Sequence, residues 1–249
     1  MIQRILLISD IHGNYPALKA IHAHFNDTKF EAVINCGDSL VYAPFPNETL
    51  DWLRQYATIS ILGNTDKKVI KLLRGKSFNK PGKPEKRIMY ESTSEALTKK
   101  NSLFIQGLKK KSSLIIRRKT AAGKTSNLSI EIFHGSPAAH HEFLFDTTSN
   151  TRFKELAALC KADIIVTGHS HTPYHKEIGG THFINPGSIG RMFDGDPAGS
   201  CATLTVTPKS IMVDHYRIPY NVKAVIREIS KQGLPNIYSQ MYLKGCKLN

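Results

Sequence analysis

The sequence predicts an α/β fold in which two β-sheets pack face to face and helices flank them. Three observations predict it. Strand and helix patterns alternate through the first half, and short strand patterns crowd the second half beyond residue 160. Potential metal ligands also stand just past five apolar, mostly β-branched runs: Ile5–Ile8, Ala32–Ile34, Ile59–Leu62, Leu128–Phe133 and Ile164–Val166. Ligands scattered over about 160 residues converge only if their strands lie side by side and deliver them to one edge.

The elements follow in order. A strand over Ile5–Ser9 leads through Asp10 and Gly13 into a helix near Tyr15–Phe25, with Asn14 as its N-cap and Pro16 in its first turn. A strand over Ala32–Cys36 ends at Gly37-Asp38, and a helix follows near Asn47–Tyr56. A third strand, Thr58–Leu62, ends at Gly63-Asn64, and Asp66–Leu73 reads as a helix. The breaker-rich run Asn79-Lys-Pro-Gly-Lys-Pro84 reads as a loop, and Glu91–Gln106 has the periodicity of one helix. Leu114–Arg118 and Leu128–Phe133, joined by the turn-rich stretch Thr120–Ser126, suggest a hairpin. An amphipathic helix over about Thr151–Lys161 precedes a buried strand, Asp163–Thr167. Short strands are expected near Tyr174–Ile178, His182–Ile184, Ala202–Val206 and Ile211–Tyr216, then a final helix over about Val222–Gln232.

Composition narrows the class. A chain of 249 residues with 41% hydrophobic content suits one soluble domain spanning 1–249. No run approaches the roughly 20 apolar residues of a membrane helix. A core-type strand begins within a few residues of Met1, which leaves no room for a signal peptide. Cys36, Cys160, Cys201 and Cys246 are widely spaced and show no CxxC pattern. They read as reduced thiols of a cytoplasmic protein, with Cys36 beside the candidate site more a packing residue than a ligand.

The net charge of +14 is unevenly placed. Between Lys67 and Lys124 there are 18 basic and 3 acidic residues, leaving 16 basic and 17 acidic elsewhere. The middle segment thus carries the whole imbalance, either as a solubilising surface or as a patch for a polyanion such as nucleic acid. Its few aromatics, Phe78, Tyr90 and Phe104, give little support to a base-stacking platform.

Seven residues form the candidate ligand set: Asp10, His12, Asp38, Asn64, His134, His169 and His171. Singly, each has a bland reading: Asp10 as an N-cap, Asp38 and Asn64 as turn residues, the histidines as hydrogen-bonded core groups. Together, the mixture of carboxylate, imidazole and amide suits a pair of borderline-hard cations, and the lack of thiolates argues against a structural zinc site. Two metals sharing a carboxylate form a hydrolytic site for phosphate esters.

Asp10-Ile-His12, Gly37-Asp38, Gly63-Asn64, His134-Gly135 and Gly168-His-Ser-His171, in that order, resemble the motifs of the calcineurin-like metallophosphoesterases, and most of all their small single-domain bacterial branch. The resemblance continues through Asp38–Glu48, Asn185-Pro-Gly-Ser-Ile-Gly-Arg191, Asp194–Pro197 and Val213–Tyr220. It implies a four-layer αββα metallophosphoesterase fold and a dinuclear site. One metal would take Asp10, His12 and His171, the other Asn64, His134 and His169, with Asp38 bridging. Manganese is the first expectation, with iron, zinc or nickel as alternatives. An oxygen bound between the metals would attack phosphorus in line. Asp38, Asn64, Thr65 and His134 would be the residues nearest the chemistry.

One departure stands out. The family commonly places histidine directly after the asparagine, where it assists the leaving oxygen; here Thr65 stands instead, offering only a neutral hydroxyl. This predicts a preference for good leaving groups, or a slow enzyme, unless His140, His141 or His182 substitutes. Val41 and Ala43 also stand where relatives often have glycine. Arg191 is expected to reach a phosphate or form a salt bridge, and Asp66 to orient Thr65 or a histidine ligand. The reading is a phosphoesterase acting on phosphodiesters or nucleotides. The alternatives are a metal- or nucleic-acid-binding module with weak catalysis, a diadenosine-polyphosphate hydrolase, and a protein serine/threonine phosphatase. The expected partner is a phosphorylated small molecule or nucleotide.

Overall fold

Successive side chains of a strand point to opposite faces, so a strand buried on both sides must be apolar throughout. In the computed structural model, which describes residues 2–119 and 125–249, β1 (Gln3–Ile8) meets this condition. Ile5 and Leu7 enter one hydrophobic core, while Leu6 and Ile8 enter another. β1 pairs in parallel with β2 (Ala32–Asn35), Ile5 opposite Ala32, and β2 pairs in parallel with β3 (Ile59–Ser60). On its other side β1 pairs antiparallel with β9 (Gly199–Val206), Leu7 opposite Ala202, and β10 (Ile211–Ile218) completes the order β10-β9-β1-β2-β3.

The second sheet runs β4-β5-β6-β8-β7. β4 (Lys111–Lys119) and β5 (Thr125–Phe133) are antiparallel, as the hairpin pattern predicts; their connector, 120–124, lies outside the described residues. β6 (Ile164–Val166) is parallel to β5 and to β8 (Thr181–Asn185), and β7 (Tyr174–Ile178) is antiparallel to β8. Ile130, Ile132, Ile164, Val166 and Ile184 face Ile5, Leu7, Ile34 and Leu204 across the gap between the sheets.

Helices cover both outer faces. The outer face of the first sheet packs under α1 (Tyr15–His24), α2 (Pro46–Tyr56), α3 (Asn64–Leu73), α4 (Pro84–Ala96), α5 (Lys99–Gly107), α7 (Val222–Lys231) and α8 (Ile237–Lys244). α6 (Asn150–Cys160) covers the second sheet, placing Phe153 and Leu156 against Ile165, Tyr174 and Phe183. The four layers are those of the metallophosphoesterase αββα sandwich.

Two elements differ from expectation. The single helix expected over Glu91–Gln106 is two, because the chain turns extended at Leu97 and Thr98. Thr98 caps α5 by accepting the Asn101 N–H, and the Asn47 side chain holds the break from outside, donating to the Ala96 carbonyl at 2.7 Å and accepting from Thr98 N at 3.0 Å. α7 is not the final helix either. α8 follows it, with Tyr238, Met241 and Tyr242 buried against the first sheet's helices.

Candidate metal centre

β1, β2, β5 and β6 all point the same way at the site, and each hands its next residues to a short loop. Asp10 and His12 follow β1, Asp38 follows β2, His134 follows β5, and His169 and His171 follow β6; Asn64 opens α3 just past β3. Five of these seven adopt left-handed backbone conformations: Asp10 (φ 50°), His12 (52°), Asp38 (51°), His169 (66°) and His171 (58°). Such values are uncommon outside glycine, and a cluster of them marks a site whose geometry is held by its surroundings. Backbone bonds do the holding, with Asp10 N–H donating to Gly37 O, His12 N–H to Asp38 O and Gly168 N–H to His134 O. Val41 (φ 79°) and Tyr42 (φ 81°) continue the pattern, so Val41 keeps a glycine-like conformation despite its branched side chain.

Two glycines are dictated by crowding. A Cβ on Gly63 would lie 2.0 Å from Asp38 Oδ1, and one on Gly168 would lie 2.0 Å from Ser9 Oγ and 2.8 Å from Asp10 Oδ2. The loops thus approach one another too closely for any side chain at these positions.

The structure brings all seven candidate ligands together in two groups. Asp10, His12 and His171 form one, and Asp38, His134 and His169 the other, with the ligand atoms of each group within 4.8 Å of one another. Asn64 Oδ1 lies 3.1 Å from His134 Nε2, which adds it to the second group. Asp38 faces both: its Oδ2 is 3.9 Å from His12 Nε2 and its Oδ1 is 3.6 Å from His134 Nε2.

Protons on the histidine rings are set by their outer partners. His12 Nδ1 meets the Leu40 carbonyl, His134 Nδ1 the Cys36 carbonyl at 2.9 Å, and His171 Nδ1 the Arg191 carbonyl at 2.5 Å. A carbonyl oxygen only accepts, so each Nδ1 carries the proton, and in the neutral ring each Nε2 turns a lone pair inward. Nε2 of His12 and Nε2 of His171 then face each other at 3.2 Å, two acceptors with nothing to share between them. Asp10 Oδ1 and His169 Nε2 are buried and without a hydrogen-bond partner. A buried acceptor with no donor is costly, and two cations would satisfy all of these atoms at once. The residues present fit a dinuclear site.

The electrostatics agree. Burial disfavours charge on Asp10, yet His171, then His134, outweigh it and hold the carboxyl well below its usual range. Burial raises the Asp38 carboxyl, against the pull of His134 and with the push of Asp10. Burial and the neighbouring His134 push His169 down to about 3, and burial with His171 pushes His12 well down, so both are neutral, the form that binds metal. For His134 burial lowers the pKa, but Asp38 and Asp10 prevail and raise it.

The surrounding residues resolve several open readings. Thr65 is buried beside Asp38, donating its N–H to Asp38 Oδ1 at 2.7 Å and its hydroxyl to the Leu40 carbonyl at 3.2 Å. Among the described residues the Asp66 carboxylate hydrogen-bonds neither a histidine ring nor the Thr65 hydroxyl. It accepts the N–H groups of Ser39, Leu40 and Gly63, tying the loop after Asp38 to the start of α3. Burial, then Asp38, pushes Asp66 up to about 7. Cys36 is a buried core thiol, pushed up by burial and by Asp10, and it serves the site through its carbonyl. Among the candidate proton donors, His140 lies 5.4 Å from His134 between ring centroids, with its pKa lowered to about 4 by burial and then His134. His182 is remote: it pairs with Ile164 at the start of β6, opposite the end that carries the site, and bonds His175.

Arg191 makes no salt bridge among the described residues, because aromatic rings hold it instead. Its guanidinium lies 3.7 Å from the Tyr42 ring centroid and 5.2 Å from that of Phe193. These rings line a cleft of about 180 Å³ over the candidate ligands, with Lys86, Lys247 and Phe143 on its other walls. Phe193 stacks on His171, and Phe143, 55% exposed, stacks on His169 at 4.0 Å. Sequence reasoning missed Tyr42, Phe143 and Phe193, since single aromatics in loops carry no periodic signal. It also left the position of the basic segment open; α4 brings Lys86 of that segment to the cleft wall.

Among the described residues no helix is long and apolar enough to cross a membrane. In sequence, the chain is 27% identical over 259 residues to an uncharacterized protein of Methanocaldococcus jannaschii, covering 97% of this chain and 98% of that protein. In fold it is similar to a metallophosphoesterase from Sphaerobacter thermophilus, with a TM-score of 0.76 at 22% identity over 98% of this chain and 99% of the other. It is also similar to a hypothetical protein from Pyrococcus horikoshii, with a TM-score of 0.81 at 16% identity over 98% and 99%. The profile of the calcineurin-like phosphoesterase superfamily domain matches residues 3–209, a span that holds every candidate ligand, and by that match the chain belongs to the calcineurin-like phosphoesterase superfamily.

Proposed function

We propose that the chain is a phosphoesterase that hydrolyses phosphodiester or nucleotide-type substrates at a site for two cations, manganese first among them. The observation that carries this reading is the placement of Asp38, whose two carboxylate oxygens face two separate groups of ligand atoms. On this reading Asp10, His12 and His171 hold one cation, Asn64, His134 and His169 hold the other, and Asp38 serves both. When bound, the cations supply an activated water for in-line attack on phosphorus and neutralise charge on the phosphoryl oxygens.

The chain itself supplies preorganisation. The carbonyls of Leu40, Cys36 and Arg191 fix three imidazole rings, and Ser9 Oγ and the His169 N–H fix Asp10 Oδ2 at 2.6 and 2.9 Å. Hydrolysis forms a bond from the water oxygen to phosphorus and breaks the bond to the leaving oxygen, which must depart as an anion or take up a proton. Thr65 holds its proton against the Leu40 carbonyl, so substrates whose leaving oxygen departs as an anion are favoured. The exposed face of Phe143 beside His169 suits the flat ring of a nucleobase or aryl group. Buried, unpaired thiols at Cys36 and Cys201 suit a reducing, cytoplasmic setting.

The test is hydrolysis of an activated aryl phosphodiester and its matching monoester by metal-stripped protein, with manganese added back. Turnover should depend on manganese and fall more than ~100-fold in Asp38→Asn, beyond the 10–100-fold usual for outer-shell partners. One observation favours a second reading, a metal- or nucleic-acid-binding module: the hydroxyl of Thr65 is already committed. Absence of turnover with manganese, nickel, iron or zinc, despite bound metal, would put that reading ahead. Nucleic-acid affinity would then persist in Asp38→Asn and weaken with salt.

A further inference from the structure

A second set of imidazoles gathers outside the candidate centre, at one side of the sandwich. β7 and β8 are antiparallel, with His175 opposite Ile184 and Glu177 opposite His182. Residues two apart in a strand share a face, so His175, Glu177, His182 and Ile184 look the same way, and Ile184 packs into the layer between the sheets. β7 is the edge strand of its sheet, and β10, the edge strand of the other, carries His215. The His215 ring reaches across to the second sheet, its Nε2 meeting the Asn185 carbonyl at 2.8 Å. His182 pairs with the start of β6, opposite the end that carries the candidate ligands, so this set shares no residue with them.

His175 Nε2 and His182 Nδ1 lie 2.9 Å apart, on rings within 17° of parallel. The other nitrogen of His182, Nε2, faces Glu177 Oε2 at 4.0 Å. That carboxylate favours a proton on Nε2, which leaves the lone pair of Nδ1 turned toward His175. Burial, then His182 and His215, lowers the pKa of His175, and burial outweighs the pull of Glu177 to lower that of His182. Both rings are therefore neutral, the form that binds metal. The spacing selects a geometry. Two nitrogens each ~2.0–2.1 Å from one cation lie about 2.9 Å apart when they meet it at a right angle, and about 3.3 Å apart in a tetrahedron. The observed 2.9 Å matches the right angle, the arrangement of tetragonal copper(II) and nickel(II). Paired strands hold both donors, so little ordering remains to be done on binding.

We propose that His175 and His182 form a further cation site, separate from the dinuclear centre, for a divalent ion that takes imidazoles at right angles, copper(II) or nickel(II). The site does not depend on the phosphoesterase reading, because no ligand is common to both. Without metal the pair shares one proton, donated by His175 Nε2 to His182 Nδ1. On binding, that proton moves to the solvent-facing Nδ1 of the exposed His175 ring, and both nitrogens give their lone pairs to the cation. Neither neutral ring has to lose a proton to solvent. Among the described residues no third imidazole, thiolate or carboxylate completes a set of three here, so water fills the remaining positions of the ion.

The experiment dialyses tag-free, metal-stripped protein against copper(II), whose unpaired electron reports its nitrogen donors by electron paramagnetic resonance. Wild type should hold one equivalent of copper per chain more than His175→Ala. The difference between their spectra should be that of a tetragonal ion split by two imidazole nitrogens. His182→Ala should lose the same copper; its ring is the more buried, so His175→Ala, at an exposed position, decides if that protein folds poorly. Manganese, the weakest binder of the divalent series and a ligand of carboxylates, serves as the control. Wild type and His175→Ala should bind it in equal amounts, which shows that the dinuclear centre is intact whether or not it turns over a phosphoester. Equal copper in the two proteins overturns the proposal, as does a lost copper whose spectrum shows no nitrogen splitting. A copper loss matched by an equal manganese loss also overturns it, because the missing ion would then belong to the dinuclear centre.

Discussion

At the level of single residues, what was legible in the sequence is what chemistry restricts. Asp10, His12, Asp38, Asn64, His134, His169 and His171 could be selected because each follows an apolar run, and all seven meet in one place. What stayed hidden is conformation: nothing in the sequence announces that five of these non-glycine residues adopt left-handed backbone, because the surrounding loops impose it. Arg191 was visible, but its partners were not, since Tyr42 and Phe193 reach it through space. Thr65 is the residue with the clearest consequence. It lines the cleft, its N–H on Asp38 and its hydroxyl on a carbonyl, and on the proposed reading an imidazole in its place would assist the leaving oxygen. General acid assistance is worth ~10²–10⁴-fold, and it matters only where the leaving oxygen is basic. Thr65→His should therefore raise kcat on an alkyl phosphodiester by at least ~10-fold while leaving an activated aryl diester within a few-fold. Equal changes on both substrates would show that leaving-group protonation does not limit this enzyme.

At the level of elements, period-2 and period-3.6 patterns located the strands and most helices to within a few residues, and the errors are instructive. The pattern of Glu91–Gln106 continues through Leu97 and Thr98 because the apolar spacing of α4 runs smoothly into that of α5. The break comes from a residue some fifty positions away. Asn47 donates to the Ala96 carbonyl and accepts the Thr98 N–H, and the buried Asn101 amide donates to Asn47 Oδ1 at 3.1 Å. One side chain thereby satisfies both ends of an interrupted helix, an arrangement no local pattern can encode. Removing it leaves the Ala96 carbonyl and the Asn101 amide short of partners. Asn47→Ala should lower unfolding free energy by about 1–2 kcal/mol in chemical denaturation, part of the cost relieved by water at the exposed side. A change below the error of the measurement would show that the break is held by Thr98 alone. α8 escaped for another reason: Tyr238, Met241 and Tyr242 share one face at i, i+3 and i+4, but Ile237 and the exposed Leu243 fall off that face and blur the stripe over a helix of only eight residues.

At the level of the whole molecule, the sandwich was legible because β1, β2 and β6 are apolar on both faces, as strands of a central layer must be, whereas the pairing of the two sheets across Ile5, Leu7, Ile130 and Val166 required the fold. The site straddles that join. Asp10, His12, Asp38 and Asn64 hang from the first sheet, and His134, His169 and His171 from the second. Each ligand group takes members from both, so each cation would clamp sheet to sheet at one edge while the hydrophobic layer joins them through the middle. A ligand that binds only the folded state stabilises it by about 2.7 kcal/mol at a hundred times its Kd. For a chain of this size, 1 kcal/mol corresponds to about 2–4 °C in Tm. Manganese at that excess should therefore raise the Tm of the stripped protein by about 5–11 °C. Asp38→Asn, which weakens both groups at once, should lose most of that shift. Ile130→Ala, fully buried between the sheets, should cost about 2–5 kcal/mol by leaving a cavity. It should nevertheless keep the manganese shift, because it lies in the layer and not at the edge. The comparison separates the two ways of joining the sheets. If Asp38→Asn kept the full shift, the stabilising metal would be bound elsewhere; if Ile130→Ala lost it, the edge and the layer would be one cooperative unit and not two independent joints.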